Sequence, residues 1–204
     1  MNPGLHWLGQ SAFRIHAKDA IIYIDPCNLT FNAPKATFIL ITHFHTDHFS
    51  EKAIKQLSTN ETKVYVPGGL GSYLPVRPGD IVNVNAFINF EVVPAYNIHK
   101  SFHPKHNKWV GYIVDIEGTR IYHAGDTDLI PEMNNMKVDI ALLPIGGTFT
   151  MDYREAIEAV KIIKPKTVIP MHYGSVVGTA REAQEFVKIC QTLGFHGEIL
   201  KVEH

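Results

Sequence analysis

Cysteine is scarce in this chain of 204 residues: only Cys27 and Cys190 occur, far apart and in no C-x-x-C pair. That excludes a disulfide framework and leaves two thiols expected to be reduced and structural. Basic clusters are missing as well. Lys and Arg total 19 against 20 Asp and Glu, the net charge is −1, and no segment carries a Lys/Arg run. The footprint of a nucleic-acid partner is therefore absent. No stretch approaches the ~18 apolar residues of a membrane span. The amino terminus, Met1-Asn2-Pro3-Gly4-Leu5-His6, has neither the basic nor the long apolar region of a signal peptide. A cytoplasmic protein with no membrane or nucleic-acid partner is expected; the oligomeric state is not legible. The loop Pro67-Gly68-Gly69-Leu70-Gly71 lacks a following Lys-Ser/Thr, so it reads as a turn and not a phosphate cradle. No linker interrupts the chain and 45% of it is hydrophobic, so residues 1–204 are expected to form one compact domain.

Histidine, in contrast, is abundant, with 12 residues. Four metal-ligand side chains fall in the stretch Thr42-His43-Phe44-His45-Thr46-Asp47-His48, directly after the apolar run Phe38-Ile39-Leu40-Ile41. Such a run bounded by polar residues reads as a buried strand, so the ligands sit where a strand gives way to a loop. Active sites form there on α/β sheets. In an extended segment His43 and His45 project to one side, while Asp47 and His48 follow the turn to the other side of a shared pocket. One peptide can then serve two neighbouring cations.

The rest of the chain delivers further donors at strand ends. Residues 5–8, 12–15 and 20–24 form a meander, the third strand ending at Asp25-Pro26. Ser50 caps a helix over Glu51 to Leu57. Strands follow at 64–66, 81–84 and 90–96, then an irregular loop, 97–109, with His99, His103, His106, Lys100 and Lys105. A hairpin over 110–123 ends in Ala124-Gly125-Asp126, whose carboxylate has two oxygens with which to bridge two cations. A strand over 139–144 precedes a helix capped by Asp152 with Glu155 as capping-box partner. A last strand, 167–171, delivers His172-Tyr173, and Thr179 with Glu182 opens a final helix that stops at Gly194.

The pattern H-x-H-x-D-H after a hydrophobic strand resembles the signature of the metallo-β-lactamase superfamily. The segments Tyr122 to Thr127, Leu142 to Met151 and Ile169 to Tyr173 resemble the branch containing L-ascorbate 6-phosphate lactonase, and more distantly N-acylphosphatidylethanolamine phospholipase D. The resemblance implies an α/β fold, a four-layer αβ/βα sandwich with metals at one edge. It implies that His43 and His45 hold a first metal, Asp47, His48 and His172 a second, and that Asp126 bridges them. It also implies that Asp25 braces the metal loop by hydrogen bonds; the residue's local alternative is simply to start the Asp-Pro turn. The family adds a histidine to the first metal where this chain has Asn97. His103 is the expected substitute, with His99 second and His106 solvated.

The expected cofactor is one or two divalent ions, zinc first and manganese or iron as alternatives, since imidazole and carboxylate donors do not name the metal. Metal-activated water would attack a small lactone, ester or phosphodiester, with Asp47 or Asp126 accepting its proton. Asn97, Lys100, Lys105 and Tyr173 are candidates for holding an anionic small-molecule substrate, and Trp109 and Phe149 for walling its pocket. Two other classes stay open: a di-iron redox protein, and a binding or regulatory protein whose first site Asn97 has weakened.

Overall fold

The computed structural model describes residues 4–27, 29, 32–134 and 136–203. Met1, Asn2 and Pro3 of the amino-terminal reading lie outside them. Two sheets are built on one plan, an antiparallel meander that turns parallel. In the first, β1 (Gly4–Trp7), β2 (Phe13–Ala17) and β3 (Ala20–Ile24) pair antiparallel, and β4 (Phe38–Leu40), β5 (Lys63–Pro67) and β6 (Leu74–Val76) add in parallel, in the order β1-β2-β3-β4-β5-β6. In the second, β7 (Ile81–Asn83), β8 (Ile88–Pro94), β9 (Val110–Ile116) and β10 (Thr119–His123) are antiparallel. There β11 (Ile140–Pro144), β12 (Thr167–Met171) and β13 (His196–Gly197) are parallel, and the order runs from β13 to β7. Strand β6 escapes a reading of the sequence because Pro75 interrupts it; on the sheet's edge the missing N–H costs no ladder bond.

Side-chain alternation sorts the layers. From β3, β4 and β5, Ile22, Ile24, Phe38, Leu40 and Tyr65 join the core shared with the second sheet. Tyr23, Ile39, Val64 and Val66 point the other way, onto Ile54 and Leu57 of α1 (Glu51–Leu57). This period of two is what a sheet buried on both faces requires. On the outer face of the second sheet lie α2 (Tyr153–Ile163) and α3 (Ala180–Thr192), through Ala156, Ala159, Val160, Ala183 and Phe186. The capping box at Asp152 and Glu155 forms as expected, and Thr179 caps α3. The result is the αβ/βα sandwich.

Register then sets the level of the donors. His123, Leu142 and Ile169 are aligned across β10, β11 and β12. Asp126 and His172 each stand three residues beyond this line, so they emerge at the same rim. Asp25 follows β3 and the histidine loop follows β4, its parallel neighbour.

Candidate metal centre

The chain leaves β4 through Ile41 and Thr42, and Asp25 fastens it there. This carboxylate is fully buried and accepts from Thr42 N at 2.7 Å, Thr42 Oγ1 at 2.6 Å and His48 Nδ1 at 2.7 Å. Thr42 Oγ1 also lies 2.9 Å from His43 Nδ1. Both imidazoles are thereby held by one ring nitrogen with the other aimed inward, the usual way of orienting a ligating histidine. Asp25 adopts a left-handed backbone (φ 48°), which Asp tolerates better than most residues. It also lies within ligating distance of His43 and His48. Its oxygens are already committed to these donors, the contacts that a bracing role requires.

Asp126 sits at the middle of the cluster. Its oxygens lie 3.1 Å from His172 Nε2, 3.3 Å from His48 Nε2, 3.3 Å from His103 Nε2 and 3.9 Å from His43 Nε2. Two groups of convergent donors flank it: His43, His45 and His103 on one side, and Asp47, His48 and His172 on the other. His103 is brought in by Asn97. The Asn97 Oδ1 accepts from His103 N at 3.0 Å and lies 3.1 Å from Nδ1, and Asn97 N donates to His103 O at 2.7 Å. The pinched loop turns the Nε2 of His103 toward Asp126.

Among the described residues, the Nε2 atoms of His43, His48, His103 and His172 and the Oδ1 of Asp126 are buried without a hydrogen-bond partner. Each such orphan costs ~1–3 kcal/mol if left unpaired. A cluster of lone-pair donors facing one point is what a divalent cation satisfies, so the residues fit a metal.

The two groups differ electrostatically. Burial first, and then the neighbouring His48 charge, hold His43 well below its ordinary pKa; burial likewise lowers His45. Burial opposes charging His172 too, yet Asp126 and Asp47 raise it to about 9. His48 is raised well above its usual value by Asp126 and Asp25 against the same burial penalty. In the metal-free protein both shifts favour the protonated His48 and His172, so a metal binding there displaces protons. The Asp47–His48–His172 group should bind more tightly as pH rises toward about 9 and lose its ion first on acidification. Elemental analysis after dialysis near about pH 6 should find that group depleted ahead of the other; simultaneous loss would contradict this.

Several expected participants lie elsewhere. Asn97 is not among the residues lining the cavity over the cluster: its amide donates to Asp128 Oδ1 at 3.0 Å and Phe149 O at 2.9 Å, and its Oδ1 is taken by His103. Lys100 is tied to Asp128 Oδ1 (2.6 Å) and Thr150 O (3.0 Å). Lys105 bonds Glu132 and Tyr96 and faces a different cavity. Tyr173 is buried and stacked on Trp7. His99 and His106 are exposed. Trp109 packs on the rings of His43, His45 and His103, while Phe149 lines the cavity over the cluster.

Other contributors carry no local signal. Gln10, in the β1–β2 turn, donates from Nε2 to Asp47 Oδ2 at 3.0 Å and accepts on its carbonyl from His172 N at 2.9 Å. Asp128 holds Asn97 and Ile98 N. His123 accepts from Gly125 N on Nδ1, and its Nε2 lies 2.8 Å from Ser11 O. Gly125 has positive φ, and a Cβ there would stand 2.7 Å from Val110 O. Gly146 lets His172 approach: a Cβ would lie 2.5 Å from Val177 Cγ2, 2.7 Å from His172 O and 3.0 Å from His172 Nδ1. Gly146→Ala is thus expected to cost ~1–3 kcal/mol by overpacking and to weaken metal binding at the Asp47–His48–His172 group. Unchanged melting and metal content would contradict it.

A cavity of about 340 Å3 opens over the cluster. Phe44, Phe102, Phe149 and Val176 form its apolar wall, and His45, Asp47, His103, Asp126 and His172 its polar floor.

Two sheets with metal-ligand side chains at one rim define a metallo-β-lactamase fold, and comparison with known proteins agrees. Residues 4–172 match the model of the beta-lactamase superfamily domain. The chain belongs to that superfamily and, within it, to the UPF0173 metal-dependent hydrolases. It is 35% identical to the UPF0173 metal-dependent hydrolase of Caldivirga maquilingensis, over 94% of this chain and 91% of that one. A metallo hydrolase of Ignicoccus hospitalis superposes with a TM-score of 0.81 at 25% identity, covering 98% and 95%. A metal-dependent hydrolase structure from Parabacteroides distasonis gives 0.89 at 30%, covering 98% and 93%. The protein is accordingly a metal-dependent hydrolase. No helix among the described residues is long and apolar enough to cross a membrane.

Proposed function

We propose that this chain hydrolyses a small lactone, ester or phosphodiester at a dinuclear centre, with His43, His45 and His103 holding one ion and Asp47, His48 and His172 the other. Asp126 faces both. The observation that carries the reading is the convergence of four buried, unpartnered imidazole nitrogens on the single Asp126 carboxylate. Zinc is the first expectation, with manganese and iron compatible with the same imidazole and carboxylate donors. When bound, the ions supply an activated water and positive charge opposite a developing oxyanion.

The chain's own residues do the remainder. Asp47 is 30% exposed and lines the cavity floor. Burial works against its ionisation, but His172, His48 and Gln10 hold its carboxyl below the usual range, so it stays charged and can accept a proton at Oδ. Gln10 fixes that carboxylate on one side, leaving the other side toward the cavity. Asp126 also lines the floor, but its oxygens are hemmed in by imidazoles, which suits it to holding charge in place.

The cavity also bears on the substrate. Among the described residues no Lys or Arg lines it, and Lys100 and Lys105 are engaged elsewhere. Positive charge for the substrate would come from the ions alone. This favours a compact molecule with an apolar body against Phe44, Phe102 and Phe149 over a multiply charged one such as a sugar phosphate lactone. The likeness to the lactonase branch supports a lactone as the reacting group. A weakened, non-catalytic first site had Asn97 as its ground, and the place of His103 beside His43 and His45 favours the hydrolytic reading over it. His103→Ala tests the reading: about one ion per chain should be lost, and activity on a lactone, ester and phosphodiester panel should fall by roughly 100-fold or more. Unchanged metal content and turnover would reject it.

A further inference from the structure

One cavity belongs to neither metal group. It measures about 490 Å3, a volume typical of small-molecule sites. Pro78, Pro94, Ala95 and the rings of Tyr96 and Trp109 give it an apolar floor, and its rim carries Arg77, Lys105 and Lys108 against the one carboxylate of Glu132. Lys105 is already satisfied: Nζ donates to Glu132 Oε1 at 3.0 Å and to Tyr96 Oη at 3.1 Å, and lies 4.3 Å from the Tyr96 ring centroid. That pair cancels itself. Neither the Arg77 nor the Lys108 side chain is in an ion pair among the described residues, although the Asp80 carboxylate accepts from Arg77 N at 2.8 Å, and the cavity's own lining holds three cations against the one carboxylate of Glu132.

Trp109 is only partly buried and stands between the basic cavity and the histidine cluster. Its ring packs 5.0 Å from His43, 4.9 Å from His45 and 5.5 Å from His103, and it lines the basic cavity too. A partly exposed indole in a cavity that prolines also line offers a flat surface for stacking, and guanidinium and ammonium groups in the same lining supply charge-assisted hydrogen bonds.

From volume, floor and charge together, we infer that this cavity is a second ligand site that takes an anion with a flat aromatic body, of nucleotide size. The body lies on Trp109 and the prolines, and the anionic group reaches Arg77 and Lys108. The inference is independent of the hydrolytic mechanism, because it uses none of the metal-holding residues.

Calorimetric titration of the metal-loaded protein tests it, with adenosine monophosphate and anilinonaphthalene sulfonate as probes and adenosine and inorganic phosphate as controls. Both probes should bind, and each control should bind roughly tenfold or more weakly, since each lacks one of the two contacts. The Arg77→Ser/Lys108→Ser double variant should lose roughly tenfold or more in probe affinity while keeping wild-type metal content. The indole N–H resonance of Trp109 should shift on binding and that of Trp7 should not. The inference is overturned if neither probe binds, if phosphate binds as tightly as the nucleotide, or if the double variant binds both probes like the wild type. Failure of the hydrolase reading would leave these results unchanged.

Discussion

Asp126→Asn is expected to leave the fold intact and reduce hydrolysis by roughly three orders of magnitude or more. The substitution conserves size at a fully enclosed position, 3% exposed, so no cavity or clash is created. What is lost is the charge that faces both donor groups. Burial works against ionising Asp126, but His48 and His172 beside it hold its carboxyl well below the usual carboxylate range. A neutral amide offers one acceptor oxygen in place of two, and directs N–H groups at imidazole nitrogens that should be donating lone pairs. In the metal-free variant the pKa of His172, raised to about 9 chiefly by Asp126 against burial, should fall markedly. Histidine NMR titration reads that shift without reference to activity. Retention of wild-type turnover, or an unmoved His172, would show that Asp126 does not organise the centre.

Asp25→Ala should produce the largest loss of stability of any single change near the site. Removing the carboxylate strands Thr42 N, Thr42 Oγ1 and His48 Nδ1 in a fully buried place. Leaving these three buried donors without an acceptor costs ~1–3 kcal/mol each. Alanine at the left-handed φ of 48° adds ~1 kcal/mol more. Urea unfolding of the metal-free protein isolates this from any effect on metal affinity. A change below about 1 kcal/mol would contradict the bracing role. The direction with pH also follows. His48 is raised in the folded state, so its favourable pairing is present below its unfolded value of 6.5 and is lost as pH rises through the higher folded value.

Much of the centre was legible because it is local. Four donors within His43 to His48 follow a buried strand, and strand ends at Asp126 and His172 carry single donors whose level is fixed by the register of parallel strands. His103 could be preferred over its neighbours because Pro104 stiffens the chain beside it, though nothing local revealed that Asn97 would turn it inward. Other parts were illegible for the opposite reason. Gln10 reaches Asp47 across 37 residues, and His123 reaches Ser11 across 112. Such partners are made by packing and leave no spacing to read. Lysines fared worst: Lys100 and Lys105 resemble anion binders in sequence, but Asp128 and Glu132 claim them in space. Among the elements, α1, α2 and α3 announced themselves through caps at Ser50, Asp152 and Thr179. The short edge strands β6 and β13 did not, since few residues and a proline give no alternation.

The most direct measurement is anomalous diffraction from crystals of the metal-loaded protein, collected at the absorption edge of the bound metal. The account predicts two peaks, one among His43, His45 and His103 and one among Asp47, His48 and His172, with Asp126 between them. A protein that carries its metal beside Asp25, at an unrelated surface, or not at all would contradict it.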